Sequence, residues 1–146
     1  MSSATARELE EVIRSTGFYK NKAKNILACA RLIQSRYQGE VPQTLDELIE
    51  LPGVGRKTAN VVLGNAFGMI SGIVVDTHVT RLSNRFGWAK GKDAVQIENK
   101  LQKIIPKKDW ILISHLLIWH GRKLCKARSP DCQSCFLFDH CPRIGV

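Results

Sequence analysis

Apolar positions recur at three- and four-residue spacing along most of the chain. Ala23, Ile26, Leu27, Ala30 and Ile33 mark one face of a helix from Lys22 to about Tyr37. Gly39 is a stop signal for it, and Pro42 lies just beyond. A shorter helix is expected from about Thr5 to Arg14, ending before Gly17. Thr44-Leu45-Asp46-Glu47 reads as a capping box: a hydroxyl at the N-cap, and a glutamate three residues on. Leu45, Leu48 and Ile49 give that short helix an apolar face, and Pro52-Gly53 stops it. The next helix starts near Gly55 and runs through Val61, Val62 and Leu63 to about Ala66. Asp76 is a good N-cap for a helix through Leu82 to Arg85. Val95, Ile97, Leu101, Ile104 and Ile105 predict another from Ala94 to Ile105, closed by Pro106. Trp110 to Trp119 is apolar nearly all round, which predicts a buried helix. Only Ile73-Val74-Val75 hints at a strand. The pattern is that of an all-α protein whose last twenty residues lack helical periodicity.

Composition narrows the class. With 146 residues, 44% hydrophobic and 24% charged, the chain suits one compact domain or two small ones. No apolar run approaches the ~20 residues of a membrane span, and the polar start has no signal-peptide pattern. A cytoplasmic or nucleoid-associated location is therefore expected. The formal charge of +9 is uneven. Residues 1–73 hold nine basic and seven acidic side chains, whereas residues 74–146 hold thirteen and six. A basic half favours a polyanionic partner such as nucleic acid, although a merely solvated surface gives the same count.

Four of the five cysteines crowd the C-terminus as Cys125-x6-Cys132-x2-Cys135-x5-Cys141. Irregular loops between them let four sulfurs converge from different directions. Nothing suggests the oxidising compartment that disulfides require. A zinc ribbon usually has two Cys-x2-Cys knuckles, and only Cys132–Cys135 is present. The spacing favours an iron–sulfur cluster, with zinc as the alternative. His140 reads as a solvated loop residue. Cys29, inside Ile26-Leu27-Ala28-Cys29-Ala30, reads as a small buried hydrophobe.

Leu51-Pro52-Gly53-Val54-Gly55-Arg56-Lys57-Thr58 lies between two short helices. Two glycines permit unusual backbone angles and close approach of another backbone. The N–H groups of the hairpin and of the next helical turn can then face an anion together, as a phosphodiester requires. This predicts a helix-hairpin-helix, a sequence-independent DNA grip, with an ordinary tight turn as the plainer alternative. Lys57 falls in the first helical turn, where the dipole and neighbouring Arg56 both disfavour the protonated amine. A neutral lysine can act as a nucleophile and form a Schiff base. Asp76 is its candidate partner, although an N-cap alone accounts for an aspartate there.

The chain resembles the endonuclease III branch of the helix-hairpin-helix DNA glycosylases. The residues that carry the resemblance are Leu-Pro-Gly-Val-Gly-Arg-Lys-Thr-Ala-Asn-Val-Val-Leu at 51–63 and Val75-Asp76-Thr77-His78, with His120-Gly121-Arg122 and the terminal cysteine spacing. Gly17-Phe18-Tyr19, Lys22-Ala23 and Ile26 also fit. The resemblance implies a partial six-helix lobe over residues 1–91 and, over 92–146, a helical lobe with a C-terminal iron–sulfur loop. It implies excision of oxidised pyrimidines from double-stranded DNA, followed by cutting at the abasic site, with Lys57 as nucleophile and Asp76 assisting. Cys125, Cys132, Cys135 and Cys141 would hold a 4Fe–4S cluster. Gly53, Val54, Gly55, Arg56, Thr58 and His78 are the expected DNA contacts, Arg81 a further one, and the protein is expected to act as a monomer. Relatives that excise adenine lack the lysine, so its presence argues for the bifunctional branch. Family members carry further helices ahead of the position of Met1, so a fragment or short form is expected. A non-catalytic DNA-binding module is the alternative reading.

Overall fold

The computed structural model describes residues 3–146, and among these it contains helices and no strand. Seven α-helices follow in order: α1 (Ala6–Ile13), α2 (Tyr19–Arg36), α3 (Leu45–Ile49), α4 (Arg56–Phe67), α5 (Thr77–Arg85), α6 (Ala94–Ile104) and α7 (Trp110–Lys123). Among the described residues no helix is long and apolar enough to cross a membrane. The chain divides into two compact units, Met1–Leu63 and Gly64–Val146. That boundary falls inside α4. The reason lies in the second unit's core, which draws Ile73, Val75, Val79, Leu82 and Ala89 together with Ile97, Leu101 and Leu117.

In the first unit, α1 begins at a complete capping box. Thr5 accepts from the Glu8 N–H, and Glu8 accepts from the Thr5 N–H at 2.8 Å. At Thr44 only half of the box forms: its side chain accepts from the Glu47 N–H, and its hydroxyl donates to the Glu47 carboxylate at 2.6 Å. Helix α2 starts three residues before the expected Lys22. Gly17 and Phe18 adopt positive φ of 66° and 50°, which turns the chain back into a helix at Tyr19. Ala23, Leu27, Leu48, Leu51, Ala59 and Leu63 are buried. Cys29 is only half-buried, contrary to expectation, because it borders an open cleft rather than the core. Its partial burial still pushes the thiol pKa up.

In the second unit, Asp76 caps α5 as expected, accepting from the N–H groups of His78 (2.8 Å) and Val79 (2.9 Å). The strand hint at 73–75 has a different origin. Ile73 and Val75 are core residues, and the Val74 N–H between them donates to the Ser114 hydroxyl at 3.0 Å. A side chain of α7 thus does what a neighbouring strand would do. Helix α7 runs on to Lys123, and it is not buried all round. Ser114, Leu117, His120 and Gly121 face inward, whereas Leu112, Leu116 and Trp119 are 52–57% exposed. Gly121 allows close packing here: a Cβ would lie 3.0 Å from the His78 Cβ.

Candidate functional site

The hairpin after α3 closes with a Val54 N–H to Leu51 C=O bond of 3.0 Å. Its two glycines differ. Gly53 has φ +78°, and a Cβ there would meet the Asn25 Cβ at 2.8 Å. Gly55 meets nothing within 4 Å and does not need positive φ; its carbonyl accepts the first bond of α4, from Ala59. Only the first glycine is therefore required by the fold. The second presents bare backbone to solvent, immediately before N–H groups that have no acceptor within the helix. Lys57 and Thr58 are exposed in the first turn of α4, whereas Arg56 and Val54 are half-buried. Helix dipole, first-turn N–H groups and two adjacent cations all favour an anion at this point.

Asp76 lies in the second unit. Its Oδ1 takes both cap bonds, which leaves Oδ2 outside the cap. Lys57 belongs to the first unit. His78 is half-buried on the next turn, with Nδ1 at 3.2 Å from an Arg81 Nη. Arg81 itself donates to the carbonyls of Gly121 (2.8 Å) and Cys125 (2.8 and 3.2 Å), so its head braces the end of α7. Burial and nearby Arg85 both pull its pKa below the usual guanidinium value.

The four C-terminal cysteines form no disulfide and line one cavity, together with Arg85, Phe86, His120 and Phe138. Among the described residues no His, Cys, Asp or Glu trio closes tightly enough around a single ion. The donors suit anionic sulfur. Arg85, 7% exposed, points Nη1 at the Cys125 Sγ (3.1 Å) and also donates to the carbonyls of Lys126 and Ala127. His120 Nε2 lies 3.6 Å from the Cys135 Sγ, and burial lowers the imidazole pKa. His140 is exposed, in keeping with a solvated loop residue.

Arg85 and His120 were not singled out by spacing, yet each carried a signal. Arg85 stands three residues after buried Leu82, and His120 three after buried Leu117. A polar residue on a helix's core-facing stripe needs a partner.

Residues 1–107 match the family of HhH-GPD superfamily base excision DNA repair proteins. Residues 125–141 match the iron-sulfur binding domain of endonuclease III. The chain is 54% identical over 136 residues to endonuclease III of Synechocystis sp. (strain ATCC 27184 / PCC 6803 / Kazusa), covering 93% of this chain and 62% of the relative. To endonuclease III of Bacillus subtilis (strain 168) it is 51% identical over 135 residues, covering 92% and 61%. A solved structure of a trapped endonuclease III–DNA covalent intermediate, an estranged-adenine complex, matches with TM-score 0.91 at 48% identity. That match covers 97% of this chain and 67% of the other. The chain thus spans about three fifths of the length of these curated relatives. The C-terminal segment is a 4Fe–4S binding region, which removes zinc as the alternative.

Proposed function

The chain belongs to the HhH-GPD superfamily of base excision DNA repair proteins, and from that premise we propose that it is a bifunctional DNA N-glycosylase and abasic-site lyase. Its substrate is double-stranded DNA carrying an oxidised pyrimidine or an abasic site, bound in the nucleoid by a monomer. One observation carries the reading: an exposed lysine stands one residue into the helix that follows a two-glycine hairpin. The hairpin (Gly53, Val54, Gly55) and first turn (Arg56, Thr58) grip phosphate through backbone N–H groups and charge. The target nucleotide leaves the stack to reach Lys57. The neutral Lys57 Nζ attacks the sugar C1′, and the C1′–N bond to the base breaks as the base takes a proton. Loss of water or ring opening then gives a C1′=N Schiff base. Removal of a C2′ proton drives β-elimination, and the 3′ phosphate leaves with the C–O electrons. Asp76, through the oxygen outside its cap, stabilises positive charge that develops on the sugar. His78, two residues after Asp76, is a further DNA contact. Cys125, Cys132, Cys135 and Cys141 would hold the cluster, on a loop whose exposed Lys126 and Arg128 are free to meet DNA.

Borohydride reduction tests this on abasic duplex DNA. Wild-type protein gives a covalent adduct, Lys57→Ala gives none, and Lys103→Ala keeps it. An adduct that survives Lys57→Ala, or none from iron-loaded wild type, overturns the lyase assignment. Salt-sensitive binding without any adduct points instead to a DNA-binding module.

A further inference from the structure

Two side chains that the repair chemistry leaves unused converge on the cysteine cavity from different helices. Arg85 comes from α5 and is 7% exposed; His120 comes from α7 and is 5% exposed. Their distances to sulfur are 3.1 Å (Arg85 Nη1 to Cys125) and 3.6 Å (His120 Nε2 to Cys135). The other ring nitrogen of His120, Nδ1, is buried without a partner. Were the proton on Nδ1, a buried N–H would lack an acceptor and a lone pair would face the Cys135 sulfur. With the proton on Nε2, the N–H faces sulfur and only a lone pair goes unmatched, which is the cheaper arrangement. Phe136 stands edge-on to the ring at 5.5 Å and offers it no hydrogen-bonding oxygen or nitrogen from its side chain.

We propose that Arg85 and His120 are a pair of positioning residues that donate N–H groups to the sulfurs of Cys125 and Cys135 and thereby set the reduction potential of the cluster. This rests on the reading that Cys125, Cys132, Cys135 and Cys141 are its ligands. Reduction adds one negative charge, part of which spreads onto the thiolate sulfurs. An N–H donor, and a guanidinium charge above all, stabilises that added charge and raises the potential. One electron enters from outside, no bond is made or broken, and the proton stays on Nε2.

The experiment is film voltammetry of the cluster-loaded full chain against an electrode, preceded by iron and sulfide assays. Fewer than four irons and four sulfides in wild type would sink the ligand reading itself. Given full loading, His120→Phe keeps the aromatic packing and lacks the donor. It is expected to weaken the reduced state about tenfold, a drop of about 59 mV for one electron. His120→Gln, which returns an N–H near the same place, recovers most of that drop. Arg85→Gln, which removes the charge, lowers the potential further than His120→Phe. A fully loaded His120→Phe with the wild-type potential overturns the inference. Should that variant fail to load, nitrogen-15 spectra of the wild-type His120 ring decide. A proton on Nε2 supports the inference, and a proton on Nδ1 with a bare Nε2 overturns it.

Discussion

Gly53 and Gly55 stand two residues apart in one hairpin and are held to glycine by different forces. A Cβ at Gly53 meets the Asn25 Cβ at 2.8 Å in a positive-φ backbone, whereas one at Gly55 meets nothing. Gly53→Ala is expected to cost about 2–3 kcal/mol in a urea denaturation series, from strain plus overpacking. Gly55→Ala meets no clash and should cost only about 1 kcal/mol, as an N-cap exchange, yet weaken duplex binding, because its methyl would stand where a phosphate approaches. Asp76 separates in the same way. Asp76→Ala loses the cap and costs about 1 kcal/mol. Asp76→Asn keeps the cap, and so the denaturation midpoint, while base excision falls by at least an order of magnitude. Equal activity in Asp76→Asn and wild type would leave Asp76 as a cap alone.

At the scale of elements, packing and helix propensity compete at two glycines. Gly121 in α7 approaches α5 so closely that a Cβ would lie 3.0 Å from both the His78 Cβ and the Arg81 guanidinium. Gly64 in α4 faces only the flexible Ile111 side chain at 3.3 Å. Alanine favours a helix by ~1 kcal/mol over glycine. That gain should win at Gly64→Ala, with a neutral or higher melting point. It should lose at Gly121→Ala, where overpacking of about 1–3 kcal/mol outweighs it. What the sequence made legible at this scale was local. The Asp76 cap spans two and three residues, and the Thr44 cap spans three. The cysteine spacing and the hairpin glycines were equally readable. What it concealed was long-range. The Val74 N–H finds Ser114 forty residues away, so an extended core segment looked like a strand. Arg85 reaches Cys125 at the same separation. The outward stripe of α7 could not be read either, because leucine and tryptophan there look the same whether they pack or not.

For the whole molecule, the charge of +9 acquires an address. Arg122, Lys123, Lys126 and Arg128 are all exposed around the first cysteine of the cluster loop. If they meet phosphate, neutralising Lys126 and Arg128 together should flatten the slope of log K against log salt by about 2. Neutralising Arg7 and Lys20, at the opposite end of the sequence, should leave the slope nearly unchanged. Titrations of binding against salt separate the two outcomes. The arginine braces of α5 join stretches of chain about forty residues apart. Arg81 and Arg85 hold the carbonyls of residues 121, 125, 126 and 127 with bonds that involve no metal. Cys125 is therefore held from α5, and so is the stretch just after Cys141, where the Ile144 N–H donates to the Arg85 carbonyl at 3.1 Å. Loosening α5 would thus free both ends of the cysteine loop at once.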